Sequence, residues 1–333
     1  MLLILIITIN VFLRAYKYQM NISPDSLPKI FDSPKKIHKS IHPQNLSGLI
    51  CGDVIKVLNA HNSSSLYDLI IADPPYNIGK DFGNGDEKKS TEEYVHWSKE
   101  WLSLCFKLLK DDGIIYVYGF SEILAHLSVL FPLKSQRWLI WHYTNKTVPS
   151  SKFWQRSHES ILCLWKSDFV PKLKTDQIRE PYTNGYKINI GKSRAGTKSR
   201  FGGGKKTIYR DYGGALPRDV LKIPALAGGA GSSERWFMCY DCDREVFHPS
   251  EIKNHRKCRI MKHPTQKPMQ LTKKLIQSAI SKNSFSQSRL LIPFAGSGSE
   301  CVVANEMGIK WCGIEMNKEY IEFANKWIKQ SNV

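Results

Sequence analysis

Hydrophobic residues along the chain follow two periodicities that alternate with each other. The run Tyr67–Ala72 is almost continuously apolar, which is typical of a strand buried on both faces of a parallel sheet. Apolar residues in Thr91–Leu109 recur every three or four positions, which predicts an amphipathic helix capped by Ser90 or Thr91. A second strand is predicted at Ile114–Tyr118. Strands that alternate with helices indicate a parallel α/β sheet.

The same alternation occurs in two further parts of the chain. A short strand is predicted at Leu49–Asp53, and further strands at Trp138–Tyr143 and Ser160–Trp165 with a helix between these two. The last part predicts, in order, a helix at Met269–Ile280, a strand at Arg289–Pro293, a helix at Glu300–Met307, a strand at Lys310–Glu315 and a helix at Lys318–Lys329. Between about residues 171 and 262 the pattern is lost and glycine is frequent, which indicates an insertion between two halves of one sheet domain.

These changes in pattern divide the chain into five segments. Residues 1–45 form an apolar and irregular extension, 46–170 and 261–333 the two halves of the sheet domain, and 171–237 and 238–260 two inserted regions. The apolar stretch Met1–Leu13 is shorter than the roughly twenty residues of a membrane span, and positive charge follows it instead of preceding it as in a secretory signal. We interpret it as an extension upstream of a start at Met20, with a peripheral helix or a weak anchor as the alternatives.

The composition excludes several classes of protein. Hydrophobic residues make up 42% and charged residues 23%, which is typical of a folded soluble chain and excludes collagen-like, disulfide-scaffold and polytopic membrane proteins. Forty-eight Lys and Arg against thirty Asp and Glu give a net charge of +18, which favours nucleic acid as a partner over an anionic membrane or a merely solvated surface. Five of the eight cysteines stand singly in apolar stretches, as in a reducing compartment. We therefore expect a cytoplasmic protein without stable membrane association.

The tetrapeptide Asp73-Pro74-Pro75-Tyr76 follows the first buried strand, at the edge of an α/β sheet where ligands bind. A carboxylate beside a proline carbonyl forms a pair of hydrogen-bond acceptors, and an aromatic ring lies next to them. Such a group suits a planar molecule with an exocyclic NH2 group. The alternative is a tight turn with a capping aspartate.

A glycine loop, Phe294-Ala-Gly296-Ser-Gly298, lies between a predicted strand and helix and permits close approach of a ligand to the helix N-terminus. Nineteen residues after Gly296, Glu315 ends the next strand, where it can accept two ribose hydroxyls. Cys301 occupies the place of the third glycine of dinucleotide-binding loops. The pair therefore favours an adenosine-containing cofactor without a pyrophosphate, such as S-adenosylmethionine.

Three blocks of the chain resemble the permuted, β-type amino-methylating DNA methyltransferases. The blocks are Asp73-Pro-Pro-Tyr76, His263-Pro-Thr-Gln-Lys-Pro268, and Phe294-Ala-Gly-Ser-Gly298 with Gly313-Ile-Glu315-Met-Asn317. The catalytic block precedes the cofactor block, and a variable recognition region lies between them, as in that group. The resemblance covers roughly residues 46–165 and 263–330 and fades in the middle.

The resemblance implies an S-adenosylmethionine-dependent methyltransferase fold, which is a doubly wound, mostly parallel sheet with an inserted target-recognition region. It implies methyl transfer to adenine N6 in double-stranded DNA, with the target base flipped out of the stack. The implied catalytic residues are Asp73, Pro74, Pro75 and Tyr76, and the implied cofactor-binding residues are Asp53, Lys267, Phe294, Gly296, Gly298, Glu315 and Asn317.

The resemblance leaves two target bases open. Aspartate at position 73 favours adenine, because cytosine-N4 enzymes of this type often begin the motif with serine. Cytosine N4 is therefore the alternative target. An RNA or protein methyltransferase and a non-catalytic zinc-finger DNA-binding protein are more distant alternatives.

A third pattern, Cys239-x2-Cys242-x12-His255-x2-Cys258, has spacing typical of a closed tetrahedral zinc site. We expect a small zinc module of two strands and a helix, with Phe247 and Ile252 in its miniature core and with His248 as a competitor for His255. We also expect this module to be tied to the neighbouring recognition region. Inert or redox-active thiols are the alternative.

Residues 187–222 contain ten Lys or Arg and two Asp, in the place where the family has its target-recognition region. Lysine and arginine there can neutralise DNA phosphates, and the arginines can read guanine edges. The candidates for base reading are Arg194, Arg200, Arg210 and Arg218. A solvated charged loop is the alternative. A companion restriction endonuclease and a homodimer are further expectations.

Overall fold

The computed structural model describes residues 47–61, 63–77, 89–145, 150–166, 170–196, 198–199, 202–204, 206–226 and 235–331. The apolar N-terminal segment and Arg200 lie outside these residues. Within them, no helix combines the length and the apolar composition needed to cross a membrane.

Fifteen strands and seven α-helices are defined within the described residues. The strands are β1 Gly48–Cys51, β2 Tyr67–Ala72, β3 Leu109–Gly119, β4 Gln136–His142, β5 His158–Leu164, β6 Ser193–Arg194, β7 Lys198–Ser199, β8 Gly202–Gly203, β9 Thr207–Ile208, β10 Val220–Lys222, β11 Phe237–Cys239, β12 Val246–Phe247, β13 Ile260–Met261, β14 Arg289–Ile292 and β15 Lys310–Glu315. The helices are α1 Val54–Asn59, α2 Thr91–Leu108, α3 Ser121–Ser128, α4 Asn184–Lys187, α5 Met269–Ala279, α6 Ser299–Glu306 and α7 Lys318–Gln330.

Eight of these strands form one mixed sheet in the order β1-β15-β14-β2-β3-β5-β4-β10. Neighbours are parallel except β5, which runs antiparallel to both β3 and β4. The prediction of a doubly wound, mostly parallel sheet is therefore confirmed. The helix predicted between the fourth and fifth strands is wrong for residues 143–145 and 150–157, which form no helix. Because β4 and β5 pair antiparallel, their connection needs no crossover helix.

The sheet is buried on both faces, as the apolar run of β2 predicts. Leu69 and Ile71 point into a core shared with α5 and α6, whereas Ile70 and Ala72 point into a core shared with α1, α2 and α3. Each fully buried side chain of this size contributes about 1.5–3 kcal/mol through the hydrophobic effect. The helices on both faces thus hold the carboxyl ends of the central strands in fixed positions.

Helix α2 ends within one residue of its prediction. Ser90 caps its first turn in a reciprocal arrangement with Glu93, which satisfies two backbone amides. Trp101 is completely buried against the sheet. Trp97, one turn earlier, reaches the edge of the cleft described below.

The first inserted region is joined to the sheet rather than separate from it. Its strand β10 pairs in parallel with β4 and so extends the sheet by one strand. The same region contains two short antiparallel strand pairs, β6 with β9 and β7 with β8. The described arginine candidates in this region, Arg194, Arg210 and Arg218, are all exposed.

Candidate active site and metal centre

Strands β2 and β14 lie side by side in the centre of the sheet, and their carboxyl ends form one cleft. The Asp73-Pro-Pro-Tyr76 loop follows β2, and the glycine loop follows β14. These loops are 220 residues apart in sequence and meet because parallel strands end at the same edge of a sheet. A crevice between neighbouring strands at such a point is where open α/β sheets bind ligands.

Asp73 is held by two neighbours on opposite oxygens. The Lys267 ammonium lies 2.7 Å from Oδ2, and the Tyr76 hydroxyl lies 2.8 Å from Oδ1. Burial raises the pKa of the Asp73 carboxyl, and the charge of Lys267 opposes that rise. The contact with Lys267 therefore favours the ionised, accepting form of Asp73.

Glu159 belongs to the same polar cluster and is absent from the sequence prediction. It lies on β5, where its Oε2 is 2.8 Å from the Tyr76 hydroxyl and its Oε1 accepts a 2.7 Å hydrogen bond from Tyr143. Lys267 lies 3.6 Å from the same Oε2. Its sequence neighbours His158 and Ser160 are polar as well, so no local pattern in β5 distinguishes it.

The two glycines of the loop have positive φ angles, +51° for Gly296 and +85° for Gly298, which L side chains rarely adopt. Each position also lacks space for a side chain. A Cβ on Gly296 would lie 2.8 Å from the ring of His263, and a Cβ on Gly298 would lie 2.6 Å from Ala324 of α7. The loop thus requires glycine for both its turn and its packing.

Glu315 holds the glycine loop from the end of β15. Its Oε2 accepts a hydrogen bond from the backbone of Gly296 at 2.9 Å, and its Oε1 accepts one from the backbone of Asn317 at 2.7 Å. Burial raises the pKa of this carboxyl, and the backbone hydrogen bonds oppose the rise. Each oxygen retains acceptor capacity for a ligand hydroxyl.

The remaining predicted cofactor residues occupy different positions in or beside the cleft. Asp53 lines the cleft and caps α1 through a 3.0 Å bond from the backbone of Lys56. Phe294 also lines the cleft and packs against Trp97, with ring centroids 5.7 Å apart. Asn317 caps α7 just beyond the cleft wall. Lys267 lines the cleft and contacts Asp73 and Glu159.

Glu300, on the first turn of α6, is a further group that the sequence analysis did not single out. It lines the cleft, is 4% exposed, and accepts a 2.7 Å hydrogen bond from Ser299. Its Oε1 has no hydrogen-bond partner among the residues that the structure describes. Burial and the nearby charge of Asp73 raise the pKa of Glu300 to about 7. The cleft therefore contains a carboxyl whose pKa lies well above its ordinary value.

The four residues of the Cys/His pattern come together in the second inserted region. One ligand atom from each of Cys239, Cys242, His255 and Cys258 lies within 4.8 Å of all the others. His248 instead contacts Ser250, as the cap of the short 3-10 helix Pro249–His255. Of the two histidines that the sequence left open, the structure thus brings His255 to the cysteines.

The fold of this module differs in part from the prediction. Strands β12, β11 and β13 form a three-stranded antiparallel sheet, with one strand more than expected. Phe247 is buried and its ring stacks on His255, as its predicted core position requires. Ile252 is 41% exposed, so its assignment to the miniature core is wrong. The ring of Phe247 and the ligand cluster fill the small interior without it.

The module docks on helix α7 of the second half of the sheet domain. Met238 and Met261 pack with Phe323 and Trp327 in one buried cluster. Lys326 donates to the backbone carbonyls of residues 243 and 244. The structure thus joins the module to α7, and its expected link to the recognition region stays a prediction.

The sheet order and the meeting of the two loops at its centre define the class of protein as a methyltransferase. The family model N6_N4_Mtase, described as DNA methylase, matches residues 67–326. The chain therefore belongs to the DNA methylase family of N6- and N4-methyltransferases, which confirms the family expected from its three blocks.

Individual relatives agree with this family. The chain is 28% identical over 282 residues to the Type II methyltransferase M.HpaI of Haemophilus parainfluenzae, covering 84% of this chain and 73% of that protein. It is 28% identical over 279 residues to the DNA adenine methyltransferase YhdJ of Escherichia coli K12, covering 82% and 80%. A solved structure of the PvuII DNA methyltransferase (cytosine-N4-specific) superposes with a TM-score of 0.54 at 15% identity, covering 86% and 90%, and so shares the fold.

Proposed function

We propose that this DNA methyltransferase transfers a methyl group from S-adenosylmethionine to adenine N6 in duplex DNA, with the base flipped into the cleft. The observation that carries the proposal is the position of Asp73, whose carboxylate faces the cleft that the glycine loop also lines. Aspartate at the start of the motif favours adenine over cytosine. The similarity to a relative named as a DNA adenine methyltransferase supports the same choice.

The chain's own residues supply acceptors at the target nitrogen. The amino lone pair of adenine is conjugated with the ring and is a poor nucleophile. The Asp73 carboxylate and the Pro74 carbonyl would each accept one N–H bond, which favours a pyramidal nitrogen with its lone pair toward the methyl group. The bound cofactor supplies a methyl group on a positively charged sulfur. Lys267 favours the ionised form of Asp73, and Glu315 with the glycine loop would hold the adenosine part.

The test of this proposal is the identity of the methylated base. Plasmid DNA from a methylation-deficient host is incubated with the enzyme and S-adenosylmethionine, digested to nucleosides and analysed by mass spectrometry. We expect N6-methyladenine. A dominant N4-methylcytosine signal would contradict the adenine assignment while leaving the family intact.

We propose that the Cys/His cluster binds one structural zinc ion. The Sγ atoms of Cys242 and Cys258 are 3.7 Å apart. Two thiolates on a tetrahedral zinc at about 2.3 Å per bond are about 3.8 Å apart, whereas a disulfide requires about 2.05 Å. Four protein ligands leave no position for a catalytic water. Elemental analysis should find one zinc per chain in the wild type and none in Cys239→Ser.

We propose that the basic recognition region binds the DNA duplex. The guanidinium of exposed Arg194 lies 5.7 Å from the ring centre of Tyr209, which packs against Tyr186. The logarithm of the DNA association constant should fall linearly with the logarithm of the salt concentration, with a slope of about 0.9 per phosphate contact.

The Type II relatives support a companion restriction endonuclease as a partner. A homodimer stays a prediction.

A further inference from the structure

Glu159 is a buried carboxylate for which the proposed function has no role. Its side chain is 14% exposed, and each of its oxygens faces a tyrosine hydroxyl, Tyr76 at 2.8 Å and Tyr143 at 2.7 Å. The two tyrosines differ in what lies beyond them. The Tyr76 hydroxyl also reaches Asp73, at 2.8 Å, so Tyr76 is a bridge between the two carboxylates.

This bridge is one proton short when both carboxylates are ionised. A phenol has a single proton, so only one of the two 2.8 Å contacts of Tyr76 can then be a hydrogen bond. An additional proton on either carboxyl would give each contact a proton of its own. The cluster of Asp73, Glu159 and Lys267 would also change from a net charge of −1 to zero, which burial favours.

The methyl transfer produces such a proton. As the new N–C bond forms from the amino lone pair, the S–CH3 bond breaks and its electron pair stays on sulfur, which becomes a neutral thioether. The methylated nitrogen then carries one hydrogen too many and releases it as a proton. A buried site must pass this proton to a group that can hold it.

We propose that Asp73, Tyr76 and Glu159 form a proton relay that removes this proton from the target nitrogen. Asp73 takes the proton from the nitrogen, and Tyr76 then accepts it from Asp73 while giving its own hydroxyl proton to Glu159. Tyr76 stays neutral throughout, and the proton and charge counts balance. The inference rests on the proposed role of Asp73 and holds for either target base.

The surroundings of the relay agree with this direction of transfer. Burial and the two carboxylates raise the pKa of Tyr76 well above its ordinary value, so Tyr76 passes a proton on without becoming an anion. The charged and titratable groups that face Glu159 are Asp73, Tyr76, Tyr118, Tyr143, Arg156 and Lys267. Lys267 lies nearer to Asp73 than to Glu159, at 2.7 Å against 3.6 Å, so its positive charge acts more strongly on Asp73.

The test measures single-turnover methylation of unmethylated plasmid DNA by the full chain, with separate titrations of S-adenosylmethionine and DNA. Glu159→Gln and Tyr76→Phe should each lower the rate constant about 100-fold, since a lost acid–base group typically costs at least that. Cofactor and DNA affinities should stay within about twofold. The double variant should be no slower than either single variant, because both break the same series of transfers.

Tyr143→Phe is the matched control. It removes a hydrogen bond of similar length from the other oxygen of Glu159 and leaves the relay complete, so its rate should stay within about threefold of the wild type. In Glu159→Gln the rate should rise with pH above 7, because hydroxide then removes the proton from Asp73. A Glu159 that only positions its neighbours would lower the rate equally at every pH.

Three results would overturn the relay. A wild-type rate in Glu159→Gln would mean that Asp73 alone disposes of the proton. Equal losses in Tyr143→Phe and Tyr76→Phe would reduce Glu159 to a positioning residue. Multiplying losses in the double variant would show independent roles. Full activity in Asp73→Asn would instead refute the proposed catalytic role of Asp73. Failure of the relay alone and failure of the proposed function therefore give different results.

Discussion

The ammonium of Lys267 lies 2.7 Å from a carboxylate oxygen of Asp73, although 194 residues separate them in the chain. Lys267 is 2% exposed, so this buried charge is compensated by Asp73 and by Glu159 at 3.6 Å. Breaking a buried ion pair typically costs about 3–5 kcal/mol, because one charge is left without a partner. The block at residues 263–268 thus contacts the Asp73-Pro-Pro-Tyr76 block through this ion pair.

In Lys267→Gln, the fall of the methylation rate at low pH should begin at a higher pH than in the wild type. The charge of Lys267 lowers the pKa of the Asp73 carboxyl, and burial raises it. Without the lysine that pKa rises, so Asp73 is protonated and unable to accept at a pH where the wild type is active. The measurement is single-turnover rate against pH, with Lys282→Gln at an exposed lysine as the control. An unchanged profile would show that Lys267 does not set the ionisation of Asp73.

Asp73→Asn should lower the methylation rate by about 100- to 1000-fold, the usual cost of removing one electrostatic contact to the reacting group. S-adenosylmethionine binding should persist, because Gly296, Gly298 and Glu315 hold the cofactor in the proposed site. Calorimetric titration measures the affinity for S-adenosylmethionine, and circular dichroism checks the fold. Normal turnover in this variant would remove Asp73 from the mechanism.

Gly298→Ala should be much more destabilising than Gly308→Ala. Both glycines have a positive φ, which costs alanine about 1–2 kcal/mol. A Cβ at Gly298 would also lie 2.6 Å from Ala324, whereas nothing lies within 4 Å of one at Gly308. Overpacking should add about 1–3 kcal/mol and displace the loop. Denaturant unfolding and cofactor titration of both variants test this, and equal stabilities would argue against the clash.

Removal of metal from the Cys/His module should weaken S-adenosylmethionine binding, by about tenfold. The module packs on α7, which carries the cleft residue Tyr320, and β13 ends two residues before His263, which also lines the cleft. Loss of a structural zinc unfolds its module and so releases both contacts. Cofactor affinity is measured before and after chelation.

Cys239→Ser supplies the control for chelation. This variant should bind the cofactor as weakly as the chelated wild type and should not respond to the chelator. Unchanged cofactor affinity in a metal-free protein would show that the module does not support the cleft.

Glu300→Gln should change how stability depends on pH. The folded pKa of about 7 lies above the ordinary 4.5, so between these values the folded state holds a proton that the unfolded state has lost. Stability is therefore fully present below pH 4.5 and is lost as pH rises toward 7. Relative to Glu300→Gln, the wild type should lose on the order of 3 kcal/mol across this window. Urea unfolding at several pH values measures it.

The comparison for Glu300 is Glu100→Gln, at an exposed carboxyl of α2. This variant removes a carboxyl that is exposed to solvent, and it controls for the loss of one ionisable side chain. A parallel pH dependence for Glu300→Gln and the wild type would show that Glu300 is ionised in the folded protein as it is in the unfolded one.

The elements with strong local patterns were predictable from the sequence. Strand β15 has the bounds that its apolar run predicts, and α2 ends one residue early. The Asp73 and Gly296 loops were also found, since proline, glycine and a terminal carboxylate restrict the backbone or bind ligands through their own chemistry. Metal-type spacing likewise identified the cysteines, because their ligand geometry is local. These signals depend on residues close together in the chain.

Tertiary structure alone decided which distant residues meet. Nothing near Glu159 in the sequence indicates that it faces Tyr76, because the antiparallel placement of β5 beside β3 creates that contact. The docking of the Cys/His module on α7 likewise depends on apolar faces from separate parts of the chain. The sequence determined the strands, helices and reactive loops, since these follow from local periodicity and backbone chemistry. Strand order and packing determined the charge cluster around Asp73, because the interactions that stabilise it join side chains brought together only by the fold.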